Sequence, residues 1–148
     1  MRGSYGRRVV SRENASPLGE LGQFIVDVRR GAVTGLVLGS GKSAVVVDWE
    51  SIASFGPDAI VVDCAGDLRP PTGEFEEEAA RGALNILQSM VLDDEGSSRG
   101  PVSDVSFDEQ SGWLTGVQLA DLVVPAAALR GHVSHALMVT AALIPVSG

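Results

Sequence analysis

The sequence predicts an all-β protein: two small β-barrels in tandem, packed as a pseudo-dimer, with a short acidic helical linker between them. Three observations carry this reading. The chain repeats itself at an offset of 81 residues. Each copy is a run of short apolar segments cut by glycines, the pattern of small barrels and sandwiches. The stretch between the copies changes composition to strong helix formers.

The repeat comes first, because a missed repeat misreads the whole fold. At the offset of 81, Val10 falls on Val91, Gly19 on Gly100 and Asp27 on Asp108. Gly31 falls on Gly112, Gly35 on Gly116 and Leu38 on Leu119. Beyond Leu38 the second copy is four residues shorter and the offset becomes 77. Val46 and Val47 then meet Val123 and Val124, Ile52 meets Leu129, and Ala59 meets Ala136. The deletion falls at Gly39–Lys42, where a hairpin turns, and exposed turns are where length changes are tolerated. The domains are therefore 7–65 for the first repeat, 66–84 for the linker and 85–143 for the second repeat.

Within the first copy, Arg8–Ser11 opens as a strand. Gly19–Asp27 and Ala32–Leu38 form a hairpin around Arg29-Arg30-Gly31. Gly31 and Gly112 suit a turn that needs positive φ. Gly35 and Gly116 sit inside a strand, where a glycine marks a bend or a close backbone approach. Ser43–Asp48 follows as a strand, Trp49–Ile52 as one helical turn, and Ala59–Val62 closes the unit. In the linker, Pro70-Pro71 ends the sheet pattern. Residues 74–84 read as a helix with carboxylates in its first turn, where the dipole favours them, and Glu77 spaced to pair with Arg81.

Composition bounds the function. The chain has 148 residues, is 45% hydrophobic and carries a net charge of −8. An acidic surface disfavours general nucleic-acid binding, which needs cations to displace counterions. The single cysteine, Cys64, excludes an internal disulfide and fits a reducing, cytoplasmic setting as a small core or strand-end residue. The basic start of the chain lacks the apolar run of a signal peptide. The longest apolar stretch, residues 136–146, is far short of the ~20 residues that span a bilayer.

Candidate chemistry is sparse. Gly39-Ser40-Gly41-Lys42-Ser43 imitates a phosphate loop, but position 36 is Leu and the residues that follow read as a strand, not a helix. His132 and His135 lack the further ligands a metal site needs and read as turn residues. The runs Glu76–Glu78 and Asp93–Glu95 read as solvated charge. Asp27 and Asp108 each precede a turn and suit turn capping. No catalytic, metal or cofactor site is expected. The candidate partner-binding residues are Trp49, Trp113, Arg29, Arg30, Leu143 and Ile144. Trp and Arg are favoured at binding hot spots, and the apolar tail extends past the last repeated strand.

The motifs Gly19-Glu20-Leu21-Gly22 with Ile25-Val26-Asp27, Gly31–Leu38, and Ile52–Val62 resemble the PRC-barrel family. The second copy keeps Pro101–Asp108, Gly112–Gly116 and Val123-Val124-Pro125, and reads His132-Val133 where the first has Phe55-Gly56. The family includes the cytoplasmic part of the photosynthetic reaction-centre H subunit and the C-terminal domain of the ribosome maturation factor RimM. The resemblance implies a compact barrel that binds proteins and carries no catalytic set. The expected function is a non-enzymatic cytoplasmic adaptor that binds another protein, with self-association open. The alternative is an RNA- or ribosome-associated assembly factor by analogy with RimM.

Overall fold

The computed structural model describes residues 1–39, 41–81, 85–133 and 136–143. Among these residues the fold is mostly β, with one short α-helix. The chain divides into two compact units. The N-terminal unit comprises Gly3–Ile25 and Val33–Ala83. The C-terminal unit comprises Met1–Arg2, Val26–Ala32 and Leu84–Gly148. The tip of the first hairpin is thus part of the C-terminal unit.

The first repeat builds six strands: β1 (Arg8–Ser11), β2 (Pro17–Asp27), β3 (Ala32–Leu38), β4 (Val45–Asp48), β5 (Ile52–Phe55) and β6 (Ala59–Val62). They form one sheet in the order β4-β3-β2-β1-β6-β5, antiparallel in its β3–β4, β1–β2 and β5–β6 pairs, with β1 and β6 parallel. A parallel pair needs a crossover, and here all the intervening strands supply it. Aliphatic side chains make the core: Val9, Leu36, Val46, Val47, Ile60 and Val62 are fully buried. With few aromatics available, β-branched residues fill the pleated surfaces.

The second repeat builds β7 (Met90–Asp93), β8 (Ser98–Pro101), β9 (Asp104–Phe107), β10 (Leu114–Gln118), β11 (Val123–Pro125), β12 (Leu129–Val133) and β13 (Ala136–Val139). Strands β8 and β9 together stand where β2 runs unbroken. Pro101, which has no N–H for a ladder, ends β8. The pairings otherwise repeat. Gly35 opposes Asp48 as Gly116 opposes Pro125. Ile52 opposes Val62 as Leu129 opposes Val139, each with an irregularity at the next position. The four-residue deletion falls in the β3–β4 connection, reduced to a tight turn where the Leu119 N–H donates to Leu122 O at 2.8 Å.

One alignment is corrected. Val9, not Val10, occupies the place of Val91. Val9 opposes Gly19 and Ile60, and Val91 opposes Gly100 and Leu137. The offset is 82 in the opening strand and 81 after it. The second copy has lost one further residue in its first turn. A one-residue slip moves every side chain to the other face, and burial confirms the corrected register: Val9 and Val91 are both fully buried, and Ser11 and Asp93 are buried in step.

The linker is not a spacer. Val46 and Arg69 exchange N–H···O bonds of 2.7 and 3.0 Å, so the linker pairs with the outer edge of β4. Helix α1 (Gly73–Ala80) then buries Ala79 in a cluster with Ile25, Val37, Ala44 and Val46. Arg81 caps it, and residues 82–84 of the expected 74–84 lie outside the described residues. Glu77 and Arg81 make no ion pair. Instead Glu76 takes a two-pronged grip from Arg69, at 2.6 and 2.7 Å, and accepts the Thr72 N–H at 2.8 Å. Asp48 joins the same guanidinium at 2.8 Å. Arg69 holds the Glu76 carboxyl down at about 2. Glu76, with Asp48, raises the guanidinium above its usual range in turn.

Candidate interaction site

Two hairpin turns occupying equivalent places in the repeat are brought together within the C-terminal unit. The first is Asp27–Gly31. Its Asp27 carboxylate accepts the Arg30 N–H at 3.2 Å, and the Gly31 N–H donates to Val28 O at 3.1 Å. The second is Asp108–Trp113. The Asp108 carboxylate accepts the N–H groups of Gln110 and Ser111, at 2.8 and 3.2 Å. Its backbone carbonyl takes the Gly112 N–H at 2.8 Å. Gly31 and Gly112 both adopt positive φ, 68° and 81°. The two aspartates therefore cap their turns as the sequence predicts; short polar side chains satisfy turn amides in this way.

The turns meet through their backbones. Ala32 and Trp113 form an antiparallel bridge, and the Leu114 N–H donates to Gly31 O at 2.8 Å. Ala32 and Trp113 are each other's equivalents at the 81-residue offset. Val28 and Leu114 are buried, and so is Ala32, which stands across from Trp113 on the same face. Strand alternation then turns Trp113 and Thr115 outward. Trp113 is 55% exposed, and Arg29 and Arg30 on the facing turn are exposed too. Neither arginine side chain makes an ion pair or hydrogen bond among the described residues. The result is a fixed backbone platform carrying one indole and two uncommitted guanidiniums.

Three of the six candidate residues thus lie on the two turns that the bridge joins. Trp49 belongs to the N-terminal unit, half-buried in the helical turn Trp49–Ser51, with its ring 5.8 Å from Phe55. Leu143 is exposed in the turn Ala141–Leu143 at the end of the described chain. Ile144 lies outside the described residues, as does His135.

Other polar candidates serve the fold. His132 lies on β12, not in a turn, with Nε2 2.6 Å from Ser89 Oγ. This imitates a nucleophile–base pair. Ser89 is only 1% exposed, however, and its hydroxyl also contacts Asn85 O at 3.3 Å. The repeat explains the pair. Ser89 and His132 stand where the first copy has Arg7 and Phe55, and the Arg7 guanidinium lies 5.1 Å from the Phe55 ring centroid. One structural seam is closed by a cation–π contact in one copy and a hydrogen bond in the other.

Asp93 corrects an expectation. It is not solvated but 1% exposed. Its carboxylate accepts the N–H groups of Glu95 and Ser97, at 3.0 and 2.9 Å, and pairs with Arg99 at 2.7 Å. The Ser97 N–H is the largest influence holding the carboxyl below its usual range, with Arg99 helping and burial opposing. The sequence signal was Asp93 opening a turn with Gly96, hidden by the adjacent Asp94 and Glu95, which do face solvent. Cys64 ends up just past β6, half-buried, where Asp67 raises its thiol above the usual range. Among the described residues, no helix is long and apolar enough to cross a membrane.

No family model matches the chain, and no curated protein matches it.

Proposed function

We propose that this chain is a non-enzymatic, cytoplasmic protein-binding adaptor: two PRC-barrel-type halves packed as a pseudo-dimer, presenting Trp113 with Arg29 and Arg30. The observation that carries the binding role is the platform itself. A large aromatic stands in solvent on backbone pinned by a bridge and two capped turns. Pre-organised aromatic and arginine groups lose little entropy on binding and are the residues on which interfaces concentrate their energy.

Two features support the duplicated architecture. The strand pairings and the irregularities of the first repeat recur in the second, there divided between two sheets, β11-β10-β9 and β12-β13-β7-β8. The Ala32–Trp113 bridge joins a position to its own equivalent, which is what a local two-fold axis produces. Closure of each half into a barrel and the packing of the halves belong to this proposal. A non-enzymatic role is supported by the structural use of Ser89, His132 and Asp93.

Affinity capture with the intact chain and with W113A tests the reading. The Trp113 side chain is exposed, so W113A is expected to keep the melting temperature while losing a defined protein that the wild type retains. Identical captured sets from both forms would refute the site.

A further inference from the structure

The structure assigns a partner chemistry to this surface: we infer that the Trp113–Arg29–Arg30 platform takes a short acidic protein segment, two neighbouring carboxylates beside an apolar side chain. The inference rests on the protein-binding reading above and goes further by naming what is bound.

The whole chain is at −8, yet Arg29 and Arg30 are exposed without a carboxylate partner among the described residues. Guanidinium groups pair with carboxylates through two parallel hydrogen bonds, and arginine suits this geometry better than lysine. Trp113 supplies an indole face for an aliphatic or aromatic side chain. The second copy shows that the arrangement is particular to the site. Where the first turn has Arg29 and Arg30, the second has Gln110 and Ser111; where the second has Trp113, the first has Ala32. One copy supplies the cations and the other the aromatic, on two turns whose backbones the bridge joins.

Charge also decides against a polyanion. RNA affinity grows with the number of phosphates neutralised, and this surface offers only the two cations of one turn. A segment with two carboxylates is matched by those two cations, whereas a long phosphate backbone is not.

The test uses the full chain and fluorescein-labelled probes, read by fluorescence anisotropy. One probe is a peptide with a Glu-Glu-Leu centre flanked by Gly and Ser. The second has Gln-Gln-Leu, and the third is an oligouridylate. Saturable binding of the Glu-Glu-Leu peptide is expected below roughly 1 mM. R29A/R30A and W113A should each weaken it at least tenfold, as should the Gln-Gln-Leu exchange. K42A, which removes an exposed cation elsewhere, should leave it unchanged. Absence of saturable binding, equal affinity in R29A/R30A, or tighter binding of oligouridylate would overturn the inference. If W113A loses a captured protein while the acidic peptide fails, the adaptor reading survives and the acidic partner does not. If both fail, the site itself is wrong.

Discussion

Gly35 and Gly116 are equivalent by the repeat, yet a side chain costs different amounts at each. A Cβ at Gly35 would lie 2.9 Å from the Val47 carbonyl oxygen, a backbone atom that cannot step aside. At Gly116 the nearest atom is a methyl of Val123, at 3.0 Å, on an exposed side chain that can rotate away. G35A is expected to destabilise by about 2–3 kcal/mol and G116A by about 1 kcal/mol or less, within the usual range for overpacking. Urea denaturation of both variants checks the ordering. The sequence shows both glycines as strand-interior bends. It does not show which faces backbone, because that depends on the partner strand.

The ion network around Arg69 sets a pH dependence at the same scale. Glu76 has a folded pKa of about 2, against an ordinary value of 4.5. A depressed carboxyl binds its proton more weakly in the folded state. Its stabilisation is therefore complete above about pH 4.5 and is lost as pH falls toward 2. Both partners are partly exposed, so solvent screening limits the contribution to roughly 1 kcal/mol. E76Q should lower the melting temperature at pH 7, and the gap to wild type should narrow as pH falls from 5 to 3. A constant gap would show that the charge is not what matters. Sequence spacing pointed instead to Glu77 and Arg81, a pair within one helix. The preferred partner came from the linker, through a loop geometry no helical periodicity encodes.

At the scale of elements, the two copies differ most where α1 lies. Ala79 packs over Ile25, Val37, Ala44 and Val46. The equivalent positions in the second copy are Ser106, Gln118, Asp121 and Val123. There Gln118 Nε2 donates to Ser106 Oγ at 3.1 Å, and Val123 is 52% exposed where Val46 is fully buried. A face covered by a helix has stayed apolar, and the matching face without one has turned polar, as the cost of exposed apolar surface requires. V46D should destabilise by more than about 3 kcal/mol, because it buries an unpaired charge, whereas V123D should stay within about 1 kcal/mol. Thermal unfolding of the two variants decides it, and equal losses would contradict the assignment of α1 to one copy. This contrast was present in the sequence. It is seen only once each position is aligned with its repeat partner and the helix is known to fold back on the sheet.

At the scale of the whole molecule, the repeat made the strand order legible from the sequence: the offsets of 81 and 77 reproduce the observed ladders from β2 onward. The error in the first strand came from a one-residue length difference in an adjoining turn, where a Val-Val pair, Val9-Val10, permits either register. That the tip of the first hairpin belongs to the C-terminal unit was not legible, since it depends on contacts between residues far apart in the chain. This placement bears on the proposed pseudo-dimer. Val26, Val28 and Ala32 are buried and belong to the C-terminal unit. A fragment ending at residue 83 would leave these side chains without that unit, and small domains bury too little surface to absorb such a loss. Such a fragment should melt well below the full chain or self-associate, as read by calorimetry and light scattering. A monomeric fragment melting with the full protein would argue against interdependent halves.

The central claim, that the paired turns form a protein-binding surface, is tested most directly by photo-cross-linking inside cells. A benzophenone amino acid replaces Trp113 in one form of the chain. In a control form it replaces Phe75, an exposed aromatic on α1 away from these turns in sequence. Position 113 should yield a discrete protein adduct that is absent from position 75 and lost when Arg29 and Arg30 are changed to alanine. Matching adduct patterns at the two positions, an adduct indifferent to the arginines, or cross-links to RNA alone would contradict the account.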